Sequence, residues 1–128
     1  MILYNVTVSI DPAIADEWLE WMRQKHIPDV MATGCFLESR ISRVHGEEEG
    51  GMTYAVSYVS PNQITMDTYQ KKFAPGLQAE HTEKYQGRFA AFRTFLHIIE
   101  EFKQAWDRYA QKSTSANIFF VIRNVVHE

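Results

Sequence analysis

One cysteine, Cys35, occurs in the whole chain, which excludes an internal disulfide framework and any zinc site built on cysteine ligands. No apolar run approaches the roughly 20 residues that a membrane-spanning helix needs. Basic excess is also missing: the net charge of −3 offers no cationic footprint for nucleic acid or an anionic bilayer. The five histidines include no pair at the i, i+4 spacing of a helical zinc site, and no glutamate sits between candidates in the protease pattern. Glycine-rich phosphate loops and a serine nucleophile elbow are absent. Met1 to Ile10 has neither a positive n-region nor a long apolar core, so it does not read as a signal peptide. The expectation is a cytoplasmic protein without metal or cofactor, with no nucleic-acid or membrane partner. A haem held by one histidine is neither supported nor opposed by any motif.

What the chain does have is enough apolar content, 45% hydrophobic against 23% charged over 128 residues, to form one domain with its own core. Ile2, Tyr4, Val6, Val8 and Ile10 alternate with Leu3, Asn5, Thr7 and Ser9, the pattern of a half-buried strand. Asp11 and Pro12 then supply a helix cap and first turn. Ile14, Trp18, Trp21, Met22 and His26 recur at three- and four-residue steps and must face a core. Pro28 predicts an end or kink near His26, with a short turn to Thr33 and a left-handed cap at Gly34.

A second strand is expected over Phe36 to His45, an acidic glycine-rich hairpin tip at Gly46 to Gly51, and a third strand over Met52 to Val59. Ser60-Pro61 repeats the cap-then-proline signal. The helix that follows carries a stripe of Met66, Tyr69, Phe73, Leu77, His81 and Tyr85, bent at Ala74-Pro75-Gly76. Gly87 ends it, and Arg88 to Ile99 reads as a fourth strand. The order β-α-β-β-α-β predicts an α+β, ferredoxin-like antiparallel sheet with both helices on one face. The other face is expected to carry Asn5, Thr7, Arg93 and His97 beside Phe89 and Phe95, and to be covered by a second copy of the chain in a homodimer.

Met1-Ile-Leu-Tyr-Asn-Val-Thr-Val, Trp18-x-x-Trp21-Met22, His26-Ile-Pro-Asp-Val-Met-Ala-Thr-Gly34-Cys-Phe36, Gly51-Met-Thr-Tyr54 and Phe89-Ala-Ala-Phe-Arg93-Thr together resemble the small bacterial domain of unknown function 4286, over about four-fifths of the chain. That family is similar to the dimeric α/β-barrel superfamily, in which two ferredoxin-like protomers pair sheet to sheet. The resemblance implies a fold and not one chemistry. The wider group includes cofactor-free quinol monooxygenases, muconolactone isomerases, haem-degrading enzymes and stress-response proteins. Residues 1–100 form the resembling domain. Residues 101–128 depart from it: Phe102, Ala105, Trp106 and Tyr109 keep helical spacing, and Asn117 to Val126 reads as a strand, so an added helix and strand are expected.

Two function classes follow. In the first, the paired sheets enclose a cavity for a small aromatic or acidic metabolite, with Asn5, Thr7, Tyr54 and Arg93 as ligand contacts. Cofactor-free oxygenation or isomerisation would follow the superfamily analogy, with His26 or His97 as the base and Arg93 holding the developing anion. Each residue also has a bland reading. His26 can close the first helix, Arg93 can pair with Glu38 or an acid of another protomer, and Asn5 and Thr7 can bond within the sheet. In the second class the face is filled by Phe89, Phe95 and Tyr54, and the C-terminal strand recruits another chain. A cavity of some 300 Å³ lined by Arg93 and His97 would separate the two.

Overall fold

A computed structural model of the chain describes residues 1–46 and 51–104. The chain divides into two units, Met1–Ile98 and Ile99–Glu128. Residues 99–104 of the second unit carry no regular secondary structure, so the expected helix does not begin at Phe102. The rest of that helix, the strand after it, and Glu47 to Gly50 of the acidic tip lie outside the described residues.

The first unit follows the expected order: β1 (Ile2–Ile10), a 3₁₀ turn (Pro12–Ile14), α1 (Ala15–Trp21), a π-helical turn (Met22–His26), α2 (Ile27–Ala32), β2 (Glu38–Arg43), β3 (Met52–Ser60), α3 (Gln63–Lys72), α4 (Ala74–Tyr85) and β4 (Phe89–His97). The sheet runs β2-β3-β1-β4, and every neighbouring pair is antiparallel. This is a ferredoxin-like α+β sheet with its helices on one face. Ile2, Tyr4, Val8 and Ile10 of β1, with Tyr54, Val56 and Tyr58 of β3, meet Trp18, Met22, Val30, Met66, Tyr69 and Tyr85 of the helices in one core. Among the described residues no helix is long and apolar enough to cross a membrane.

Local chemistry explains the boundaries. The Asp11 carboxylate accepts from the Ala13 amide at 2.9 Å and from Arg88 Nε at 2.8 Å, tying the start of the first helical segment to the start of β4. Gly34 ends α2 with φ 76°, a conformation that glycine takes without a Cβ penalty. The second helical segment is capped by Asn62 and not by Ser60: the Asn62 side chain accepts from the Thr65 amide at 2.8 Å, while Ser60 Oγ donates to the Asn62 carbonyl. Pro61 therefore precedes the cap. The bend expected near Pro75 is real and falls at Phe73, between α3 and α4.

Pro28 neither ends the first helical segment nor sharply breaks it. The chain inserts a π turn just before it, in which the Ile27 amide donates to the Met22 carbonyl, five residues back. Widening the helix there lets it continue as α2 with a proline in its first turn.

The fourth strand corrects the expected face. Antiparallel partners share a face, and β4 pairs Arg93 with Val6, Phe95 with Tyr4, His97 with Ile2 and Phe89 with Ile10. Arg93, His97, Phe89 and Phe95 thus lie on the helix side. The opposite face carries Leu3, Asn5 and Thr7 against Leu96, Thr94 and Phe92. One residue of parity moves Arg93 and His97 across the sheet and leaves Asn5 and Thr7 where they were expected.

Candidate functional site between the sheet and its helices

Because β4 turns its odd-numbered residues inward, the cleft of the first unit lies between the sheet and its own helices. Tyr4, Val6, Val8, Val56, Tyr58, Phe89, Ala91 and Arg93 form its floor, and Met22, His26, Tyr69, Leu77, Gln78, His81 and Thr82 form its roof. The centres of water-sized spheres have about 50 Å³ of room in it, and the free space, open solvent included, is about 540 Å³. That room suits a few waters or a carboxyl-sized group, so a larger ligand extends toward solvent. Arg93 and His97, on the helix side of the sheet, do not face the cavity expected between the open faces of two copies.

The π turn positions His26. In an α-helix Trp21 would lie over residue 25, four positions on; with the extra residue in the turn it stacks instead on His26, ring centroids 5.3 Å apart and planes 29° apart. His26 also meets His81 edge-on at 5.7 Å. Its Nδ1 is buried without a hydrogen-bond partner among the described residues. Burial lowers the His26 pKa below its ordinary 6.5; the Glu80 and Asp29 charges oppose that shift, and Lys25 adds to it. At neutral pH the imidazole is therefore a free base. Lys25 lies between those acids, bonded to Asp29 and 3.7 Å from Glu80, and so bridges the first helical segment to α4.

His81 is buried, and its Nε2 accepts from Trp18 Nε1 at 2.9 Å. Burial, helped by His26 and Arg93, pushes its pKa down to about 4. Phe89 closes on it edge-on at 4.5 Å. Arg93 stands across the cleft on β4. Its Nε donates to the Tyr4 hydroxyl at 3.1 Å, and among the described residues no carboxylate lies within 4.0 Å of its guanidinium. Glu38, the expected partner, lies 3.9 Å from Arg40. Tyr58 and Tyr69 stay neutral phenols, their pKa values raised first by burial.

Of the residues singled out from sequence, the cleft joins His26 and Arg93 and leaves out the other four. Asn5 and Thr7 lie on the opposite face, where Asn5 Nδ2 donates to Thr7 Oγ1 at 3.0 Å. His97 shares Arg93's face, but four residues along the strand is roughly 13 Å, and it does not line the cleft. Tyr54 is buried beneath Trp18, ring centroids 5.0 Å apart. His81, Tyr4 and Trp18 were missed as site residues. His81 reads as one more member of an apolar stripe, and a histidine among Leu77 and Tyr85 on a buried face is the only signal that could have found it. No group of three metal-ligating side chains is found among the described residues.

This architecture, a four-stranded antiparallel sheet roofed on one side, is the ferredoxin-like fold. Three solved structures of that shape illustrate it. HapK from Hahella chejuensis aligns with TM-score 0.63 at 10% identity, over 82% of this chain and 99% of its own. A variant of SnoaB, a cofactor-independent oxygenase from Streptomyces nogalater, aligns with 0.58 at 9% identity, over 80% and 98%. A dimeric ferredoxin-like protein from an uncultured marine organism aligns with 0.58 at 13%, over 81% and 100%. The family profile described as "Domain of unknown function (DUF4286)" matches residues 1–99, and the chain belongs to that family. No curated protein matches the chain.

Proposed function

We propose that the domain binds a small aromatic or acidic metabolite in the cleft and acts on it without a cofactor, working as a homodimer. One observation carries the reading: His26, whose buried Nδ1 has no hydrogen-bond partner among the described residues, and Arg93, whose guanidinium has no carboxylate within 4.0 Å among them, line the same aromatic-walled cleft. A buried polar atom left unbonded costs stability and calls for a ligand or water to satisfy it. In the proposed chemistry His26 removes a proton from a carbon or hydroxyl of the ligand, and Arg93 holds the resulting oxyanion. Return of that proton to another carbon is an isomerisation; attack of the electron-rich ring carbon on dioxygen is an oxygenation. Likeness to a cofactor-independent oxygenase supports this class of reaction.

Native mass spectrometry of the gently purified protein tests the binding. A bound mass that survives in the unaltered chain and disappears in both His26→Ala and Arg93→Ala is the expected result. A bound mass retained by both variants would remove the cleft as the site.

A further inference from the structure

The two cleft histidines are not equivalent, and the difference is built in by a tryptophan that lies beneath one of them. Trp18 is fully buried and its indole nitrogen can only donate, so the 2.9 Å contact to His81 Nε2 requires that nitrogen to be unprotonated. In a neutral imidazole the single proton must then sit on Nδ1. Protonating Nε2 would set two donors against each other in a place water does not reach. Phe89 and Tyr85 pack around the same ring, so it cannot turn over without displacing them. His26 has no comparable lock: its Nδ1 has no partner among the described residues.

We propose that Trp18 is a positioning residue that fixes His81 as a permanent Nδ1–H donor, so that His81 and Arg93 together take the anionic oxygen of a planar carboxylate or phenolate while His26 is left as the base. This rests on the reading that the cleft is the ligand site. The ligand class follows from the lining: the Arg93 guanidinium and the His81 Nδ1–H are donors, Gln78 and Thr82 add further polar groups, no acidic side chain lines the cleft, and the walls are the rings of Tyr4, Tyr58, Tyr69 and Phe89. The room in the cleft suits a carboxyl or phenol head, with the rest of the ligand toward solvent.

The tautomer is read directly in full-length protein labelled with ¹⁵N-histidine, by long-range proton–nitrogen correlation spectra. The expected spectrum has His81 in the Nδ1–H form, unchanged across the neutral range, and Trp18→Phe converts it to a mixture. Benzoate is the probe for binding, followed by the same spectra and by tryptophan fluorescence. Saturation with benzoate should move the His81 Nδ1–H signal, and His81→Phe, which keeps the packing but removes the donor, should weaken benzoate about tenfold or more. His81→Gln, which restores a donor, should recover most of that loss. An Nε2–H tautomer, a His81 signal untouched by saturating benzoate, or no benzoate binding up to about 10 mM would overturn the proposal. If benzoate binding depends on Arg93 but not on His81, only the role of His81 fails. If it depends on neither Arg93 nor His26, the cleft reading fails with it.

Discussion

At the scale of single residues, the Trp18–His81 contact is the most consequential in the domain, because it is a buried bond between groups 63 positions apart in sequence. Replacing Trp18 with Phe keeps most of the ring but leaves His81 Nε2 unbonded in an apolar setting. An unsatisfied buried acceptor costs about 1–3 kcal/mol, and urea unfolding of Trp18→Phe should show a loss of that order or more, since the smaller ring also leaves space.

The same histidine makes the fold acid-sensitive. Its pKa falls from 6.5 in the unfolded chain to about 4 in the folded one, so below 6.5 the unfolded state takes up the proton first. The stability contribution is fully present above pH 6.5 and is lost as the pH falls toward 4, by about 3 kcal/mol in all. His26 shifts in the same direction. Other groups titrate in this window, so the measurement is a difference. Stability of the parent minus that of His81→Gln, followed by urea melts from neutral to acid pH, should shrink as the pH drops. A difference that stays constant would remove His81 as the acid-labile group.

At the scale of elements, two glycines have opposite roles. Gly34 closes α2 at φ 76°, where a Cβ has room but the backbone conformation disfavours it. Gly76 lies inside α4 with ordinary helical geometry and nothing within 4 Å of the position a Cβ would take. Gly34→Ala should therefore cost about 1 kcal/mol, while Gly76→Ala should stabilise by about 0.5–1 kcal/mol through the unfolded chain. Thermal melts of the two variants should move in opposite directions.

Sequence was a good guide to these elements and a poor one to the site. Turn residues and periodicity located all four strands and both bent helical segments, because Asp11-Pro12, Gly34 and Gly87 each leave one local solution. Periodicity could not orient β4, since Phe92 and Leu96 on one parity match Phe89 and Phe95 on the other in hydrophobicity. That parity is decided by pairing with β1, a contact across almost ninety residues. Pro28 announced an irregularity but not its form, and only the widened turn, not the proline itself, places His26 against Trp21.

At the scale of the whole molecule, the face opposite the helices argues for a second copy. In mid-sheet it is small and weakly polar, with Asn5 and Thr7 satisfying each other, while Phe92 is 63% and Leu96 45% exposed on the β4 side. Exposed aromatic and aliphatic side chains on the β1–β4 half of this face, where no charged residue lies, are characteristic of a surface that associates; Glu38 and Arg40 of β2 lie at its other edge. The homodimer proposed above would bury this strip. Phe92 projects from β4 opposite Thr7, so a charge placed there would be buried unpaired in such an interface, at a cost of several kcal/mol. Sedimentation of the parent protein at micromolar concentration should give twice the chain mass, and Phe92→Lys should give a folded single chain. Because Phe92 and the cleft lie on opposite faces of the sheet, the monomeric variant should keep the His81 tautomer and its benzoate response. If both are lost together, the partner contributes to the cleft after all.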